Sequence, residues 1–365
     1  MSSTDAREEI ERRKGEHLRV AAHGDVEAVQ SAGWDDVRLV HEALPREDLA
    51  AIDLGTEFLG RRLAAPLLIS AMTGGHPSAG DVNAVLARAA ERHGVAMGVG
   101  SQRAALQNPA LSTTYRVARE SAPSAMLVAN VGAAQLVPQS GKPALGAEEV
   151  QQAVAMIRAD ALAIHLNFLE ESVQTEGDRC ARGVREALAA VAGVGDVPVI
   201  AKETGAGFSR STALELAGLG FRALDVGGLG GTSFAAVEGA RAEAHGDRRG
   251  ARVGQVYREW GIPTAVSLLA ARPAGLPLIA TGGVRSGLDA AKALALGANV
   301  VGVARPLLAA ALEGDAAVDA WVTGFLDELR VAVFLTGGRS VADLAGVPRA
   351  ITGDTRSWLD DLGYG

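Results

Sequence analysis

One pattern constrains this chain more than any other. A short apolar run, rich in β-branched residues, ends in glycine or a polar residue and gives way to an alanine-rich stretch of helical period. It recurs eight times, at residues 66–72, 95–100, 126–131, 161–166, 197–201, 223–226, 277–280 and 300–303. The runs are continuous rather than alternating, as in strands covered on both faces, so they predict a parallel sheet. Between them, residues 81–93, 147–159, 211–219 and 288–296 carry the helical periodicity. Eight βα units within 365 residues predict an α/β fold of the TIM (β/α)8 barrel type. A doubly wound open sheet is the alternative.

Composition narrows the partners. The chain has 43 acidic and 35 basic residues, a net charge of −8 spread without a basic block, which argues against nucleic acid. Its single cysteine, Cys180, rules out an intramolecular disulfide and suits a reducing cytoplasm. The first residues, MSSTDAREEIERRKGEH, lack the apolar core of a secretory signal, and no later stretch reaches the run of about eighteen apolar residues that spans a membrane. A soluble, cytoplasmic protein without membrane insertion is expected.

In a barrel the carboxyl ends of the strands face the active site. Here they are polar or glycine-rich: Ala71-Met72-Thr73-Gly74-Gly75, Gly100-Ser101-Gln102-Arg103, Asn130-Val131-Gly132, His165-Leu166-Asn167, Lys202-Glu203, residues 225–232, Thr281-Gly282-Gly283-Val284-Arg285 and Ala304-Arg305. The loops after strands 7 and 8 commonly hold a phosphate against a helix start, and residues 282–287 fit that use as well as that of an ordinary glycine-rich turn. Residues 227–232 would cradle a phosphate or admit a flat ligand. Lys202 is one of only four lysines against 31 arginines, and it ends an apolar run. An ammonium there either finds an anion, such as the flavin edge that becomes anionic on reduction, or snorkels to water. The segment HLNFLEESVQTEGDR, residues 165–179, holds four carboxylates: Glu170, Glu171, Glu176 and Asp178. Alone it reads equally as a solvated loop.

Taken together, these motifs resemble the type 2 isopentenyl diphosphate isomerases. The resemblance rests on Arg13-Lys14-x-x-His17, the 70–75 and 100–103 stretches, His165-x-Asn167, Glu176-Gly177-Asp178-Arg179, residues 227–234, Trp260-Gly261-Ile262-Pro263-Thr264 and Gly282-Gly283-Val284-Arg285. It runs from about residue 12 to about residue 340 and implies an FMN-binding (β/α)8 barrel over 61–340. An N-terminal extension over 1–60 would contribute substrate-binding residues, and 341–365 would be a C-terminal tail.

By the same resemblance FMN is held by Ala71, Met72, Thr73, Ser101, Asn130, Lys202, Thr232, Gly282, Gly283, Val284, Arg285, Ala304 and Arg305. The substrate diphosphate is gripped by Arg13, Lys14, His17, Ser101, Gln102 and Arg103, together with His165 and Asn167, which with Glu170 are the implied catalytic residues. A diphosphate wants such bidentate guanidinium and imidazole donors. Glu171 is the implied Mg²⁺ ligand, in keeping with a hard cation that takes carboxylate and phosphate oxygens. The implied activity is FMN- and Mg²⁺-dependent isomerisation of isopentenyl to dimethylallyl diphosphate by proton addition and elimination at reduced flavin. NADPH is the implied reductant and a homo-oligomer the implied assembly.

One position departs from that pattern. The family has glutamine where this chain has Glu170, so that Glu170-Glu171 stands in place of Gln-Glu. Glu170 is then a proton donor in its own right, a second oxygen for Mg²⁺, or the mark of a relative that uses the same reduced FMN to rearrange or cyclise another isoprenoid. A 2-hydroxy acid oxidase, another flavin barrel, would need a late His-x-x-Arg pair, and no histidine follows His245.

Overall fold

The computed structural model describes residues 20–22 and 24–364. Eight parallel strands close into a barrel: β1 (Leu67–Ile69), β2 (Ala96–Gly98), β3 (Leu127–Gly132), β4 (Ala161–Leu166), β5 (Val199–Glu203), β6 (Ala223–Asp225), β7 (Leu278–Thr281) and β8 (Val300–Val303). Each pairs with its sequence neighbours, and β8 returns to β1 with Val301 opposite Leu67. Two strands match the apolar runs to the residue, and β5 is shifted furthest toward its carboxyl end. It begins after Pro198, which has no N–H to give a ladder and supplies only its carbonyl, to Leu162 N. At its other end the strand runs two residues past the apolar run, placing Lys202 opposite both His165 and Asp225.

Helices cover the outside. Helix α1 (Pro77–His93) starts four residues before the predicted 81, because Pro77 occupies the first turn and the His76 side chain accepts from Ser78 N. After β6 the chain makes two helices, α2 (Phe234–Ala244) and α3 (Arg248–Val256). They pack closely at Gly239 and Gly254, where a Cβ on Gly254 would stand 2.5 Å from the Gly239 Cα.

The apolar residues fall into two groups. The larger lies between strands and helices; the smaller fills the barrel with Leu68, Met126, Val128, Ile200, Ile279 and their neighbours. A hairpin of Thr56–Phe58 and Arg61–Leu63 drives Phe58 and Leu63 into that inner group, which seals one end of the barrel. Burial of a side chain like Phe58 is worth about 1.5–3 kcal/mol. The last residues also fold back onto the body. Arg349–Ile351 pairs antiparallel with Val37–Leu39, and Asp36 accepts from Thr355 N at 2.9 Å. Residues 341–364 are thus part of the same body, bonded to the segment before the barrel. Among the described residues no helix is long and apolar enough to cross a membrane.

Candidate functional site

A large cavity opens at the carboxyl end of the barrel, and its two sides differ in chemistry. One side, built by the ends of β6, β7, β8 and β1, is mostly backbone. Gly282 and Gly283 have φ of 121° and 65°, conformations that side chains rarely adopt, and a Cβ on either would collide with the β6 loop, at Gly228 O or Gly230 O. A Cβ on Gly231 would stand 2.7 Å from Gly283 N. On β8, Gly302 leaves room for the hydroxyls of Ser70 and Thr281, which are buried and have no hydrogen-bond partner among the described residues. Buried polar groups are seldom left so, which suits a polar ligand on this wall. Ser286 then caps the helix Gly287–Ala295 with Asp289 in a reciprocal pair.

At the rim of that wall stand Arg285 and Arg305. Both reach the same carboxylate oxygen of Glu27, at 2.9 and 3.0 Å. Two guanidinium groups converging on one oxygen form a ready anion site. Glu27 arrives on residues 24–32, which run along the β6 loop through Ala28 N to Gly231 O.

The other side, from β3 to β5, is built of side chains. Asn130 on β3 donates its amide to Val99 O at 3.1 Å, so its carbonyl oxygen faces the imidazole and accepts from His165 Nδ1–H at 2.8 Å. That bond fixes the tautomer and orients Nε2 on the opposite edge of the ring. A short helix, Phe168–Val173, starts directly after Asn167 and carries Glu170 and Glu171 in its first turn. Asn167 Nδ2 donates to both carboxylates, at 3.0 Å to Glu170 and 3.3 Å to Glu171. Glu171 also accepts from Gln135 Nε2 at 3.3 Å and from Asp178 N at 2.7 Å. Glycine is required at 177, because a Cβ there would collide with the Glu171 carbonyl.

Asp178 is the hub of the loop. Arg103 lies at 2.6 Å and Lys142 at 2.9 Å, and Gln135 Nε2 donates at 3.1 Å. Burial works against its charge, but Arg103, Lys142 and Gln135 outweigh burial and hold the carboxyl below the usual carboxylate range. Glu176 meets Arg241 at 3.3 Å, and Arg241 pairs in turn with buried Glu238 at 2.5 Å.

Between the two sides, on the floor, Lys202 donates to Asp225 Oδ2 at 2.9 Å and to Glu203 O at 3.3 Å. Glu203 is set differently. One of its oxygens accepts from the backbone N–H groups of Thr204, Gly205, Ala206 and Gly207, at 2.5–3.0 Å. Burial pushes its carboxyl up to about 7 despite the opposing pull of those four donors.

The cavity brings together Ala71, Met72, Thr73, Ser101, Arg103, Asn130, His165, Asn167, Glu170, Glu171, Lys202 and Thr232, with residues 282–285, Ala304 and Arg305. Gln102 stands apart. Its side chain is fully buried behind β3, donating to Ala153 O at 2.8 Å and accepting from Asn130 N at 2.9 Å, so it braces Asn130 and does not face the cavity. Arg13, Lys14 and His17 lie outside the described residues. Gln135 and Glu27 were absent from the sequence reading, and Ser70, Asp225 and Thr281 entered it only within strand-end motifs, with no role of their own.

The residues present fit a flavin mononucleotide and a hard cation. The glycine cradle with its unsatisfied hydroxyls, the two rim arginines and the floor ammonium match a planar ring that ends in a phosphate. Among the described residues no three His, Cys, Asp or Glu side chains form a full metal cage, so a cation at Glu171 would complete its shell with phosphate and water oxygens.

Comparison with known proteins agrees on the flavin. The sequence model of the FMN-dependent dehydrogenase family matches residues 6–114 and 262–349. Among solved structures, mandelate oxidase with benzoyl-formic acid superposes with a TM-score of 0.61 over 96% of this chain and 98% of that one, at 20% identity, a likeness of fold. Two curated relatives are far closer in sequence. The isopentenyl-diphosphate delta-isomerase of Methanoregula boonei is 51% identical over 355 residues, 96% of each chain, and that of Methanothermobacter thermautotrophicus is 46% identical over 356 residues, 97% of each. The chain therefore belongs to the FMN-dependent, type 2 isopentenyl-diphosphate delta-isomerase family.

Proposed function

We propose that this protein converts isopentenyl diphosphate to dimethylallyl diphosphate, with FMN on the glycine side of the cavity and Mg²⁺ at Glu171. The observation that carries the reading is the meeting, in one cavity, of a backbone cradle ending at Arg285 and Arg305 with a carboxylate and imidazole cluster around Asn167. When bound, reduced FMN supplies the acid/base group for the allylic proton addition and elimination. Asn130 holds the His165 ring at Nδ1 and so sets its orientation in the cavity, where the imidazole would meet a diphosphate oxygen. Asn167, Gln135 and the Asp178 N–H orient Glu171, which would take the cation. Asp178 anchors Arg103 beside the cavity, so that this guanidinium approaches an anionic substrate already oriented. Lys202 on the floor would meet the flavin edge that gains negative charge on reduction.

Glu170 supports a second reading of its own role. Asn167 ties it to the same amide as Glu171, which favours two carboxylates sharing one cation. The experiment is anaerobic incubation with reduced FMN, Mg²⁺ and isopentenyl diphosphate in deuterated water. Dimethylallyl diphosphate carrying solvent deuterium is expected. An unchanged substrate, or a rearranged product from a longer prenyl diphosphate alone, would overturn the isomerase reading.

A further inference from the structure

Lys202 does not stand alone under the cavity. Asp225, on the neighbouring strand and opposite it in register, receives its ammonium at 2.9 Å, and the two are among the most buried charged side chains of the molecule, 8% and 1% exposed. Apolar residues lie below. Leu68, Val128, Ile200 and Ile279 wall a small gap beneath the pair, so the local dielectric is low and little water screens either charge. The second carboxylate oxygen, Oδ1, is buried without a hydrogen-bond partner among the described residues. A buried carboxylate with half its acceptors unused costs free energy, and a chain that needed only to anchor a lysine could have used a neutral acceptor. Of the three ammonium N–H groups, two are taken, by Asp225 Oδ2 and Glu203 O. Lys202 also lines the cavity.

From this geometry we infer that Asp225 is a positioning residue that sets how strongly the protein favours reduced over oxidised flavin. The inference rests on the proposed placement of FMN in the cavity. With Asp225 ionised, the flavin edge faces a neutral pair whose positive end is nearer. The ammonium is thereby aimed, and its field is partly cancelled. Removing the negative partner leaves a net positive charge on an apolar floor, which stabilises the reduced, more negative flavin and raises the midpoint potential. Removing the ammonium alone leaves a net negative charge and lowers it.

The test measures the midpoint potential of bound FMN by equilibration with a reference dye, in wild type, Asp225→Asn, Lys202→Met and the double variant Lys202→Met/Asp225→Asn. Asp225→Asn is expected to favour reduced over oxidised FMN at least tenfold more than wild type does, about 30 mV for a two-electron couple. The double variant, which replaces the pair by neutral side chains of similar size, is expected to lie at least tenfold above Lys202→Met. If Asp225→Asn proves too unstable to purify, the comparison between the double and the single lysine variant decides. A potential that does not respond to Asp225 in either background, or falls when Asp225 is neutralised, overturns the inference and leaves the cofactor reading intact. Wild-type protein that takes up no FMN overturns both.

Discussion

The glycine side of the cavity and its carboxylate side meet a ligand by different means. From β6 to β8 the chain gives up side chains, so that a ligand lies against backbone amides and two stray hydroxyls. From β3 to β5 it crowds in side chains, and nearly every one is held in place: Asn130 by the Val99 carbonyl, His165 by Asn130, Glu171 by Asn167 and Gln135, Asp178 by Arg103. The first side selects by shape and tolerates no added atom. The second selects by charge and should tolerate isosteric change at the cost of chemistry. That difference gives the two sides separable failures.

The largest expected effect on cofactor content is on the glycine side. Gly302→Val would collide with Thr281 and Ser70, and Gly283→Ala would combine a disfavoured φ with a collision at Gly230 O. Either protein should fold with its barrel intact yet retain less than a tenth of the flavin of wild type, read from the visible absorbance of the purified protein. Full flavin content in Gly302→Val would place the cofactor elsewhere.

On the carboxylate side, Glu171→Gln keeps the shape and removes a charge, and Arg103→Ala strips Asp178 of its nearest partner. Each should lower kcat/KM by two to three orders of magnitude, roughly 3–4 kcal/mol, the usual cost of truncating one member of a buried charged contact. Flavin absorbance should be unchanged in both. Glu170→Gln sharpens the comparison further: a raised Mg²⁺ requirement is expected if Glu170 shares the cation with Glu171, and an unaltered one would remove it from the metal site.

Two carboxylates beside the cavity should also respond to pH with opposite sign. The folded protein holds Asp178 below its ordinary value, so the stabilisation it gives is present above the unfolded pKa and is lost as pH falls through the folded one. Glu203 is raised from 4.5 to about 7, so the folded state keeps a proton that the unfolded state has released. Its effect is a loss of stability as pH climbs across that interval, with no further change above it. Urea unfolding across pH should lose its acid-side slope in Asp178→Asn and its slope between 4.5 and 7 in Glu203→Gln. A Glu203→Gln profile that parallels wild type would mean that the four N–H donors, and not burial, decide its charge.

How far the sequence anticipated these features depends on what each needs. Eight continuous apolar runs lead to eight buried parallel strands because burial on both faces leaves no other pattern, and the polar strand ends collect around one cavity because barrel topology puts them there. What stayed hidden depends on register and on segments distant along the chain. Lys202 was visible as a cation in need of an anion, but the anion is Asp225, identified only once Lys202 stands opposite it across two strands. Gln102 looked like a ligand residue because it sits between Ser101 and Arg103; the start of a helix turns it away from the cavity and into the contact between β3 and Ala153. The hairpin that inserts Phe58 and the paired helices after β6 left no periodic signal strong enough to separate them from loops.

Glu27 is the smallest test and the one that joins the two sides, since it brings a carboxylate to the glycine wall. It lies 258 residues or more from either arginine it binds, and no local motif marks it. Its carboxylate holds the same guanidinium groups that a phosphate dianion would use, so it competes with that phosphate and repels it. All three side chains are partly exposed, between 20% and 43%, so each pairing is worth only about 0.2–1 kcal/mol. Glu27→Gln should therefore tighten FMN binding by less than about fivefold, the equivalent of 1 kcal/mol. The gain should shrink as salt shortens the screening length, because the competing charges meet at the surface. Titration of FMN fluorescence at low and high salt measures both. Weaker binding in Glu27→Gln would reverse the assignment: the carboxylate would then be aligning Arg285 and Arg305 for the phosphate, as Asp178 aligns Arg103 across the cavity.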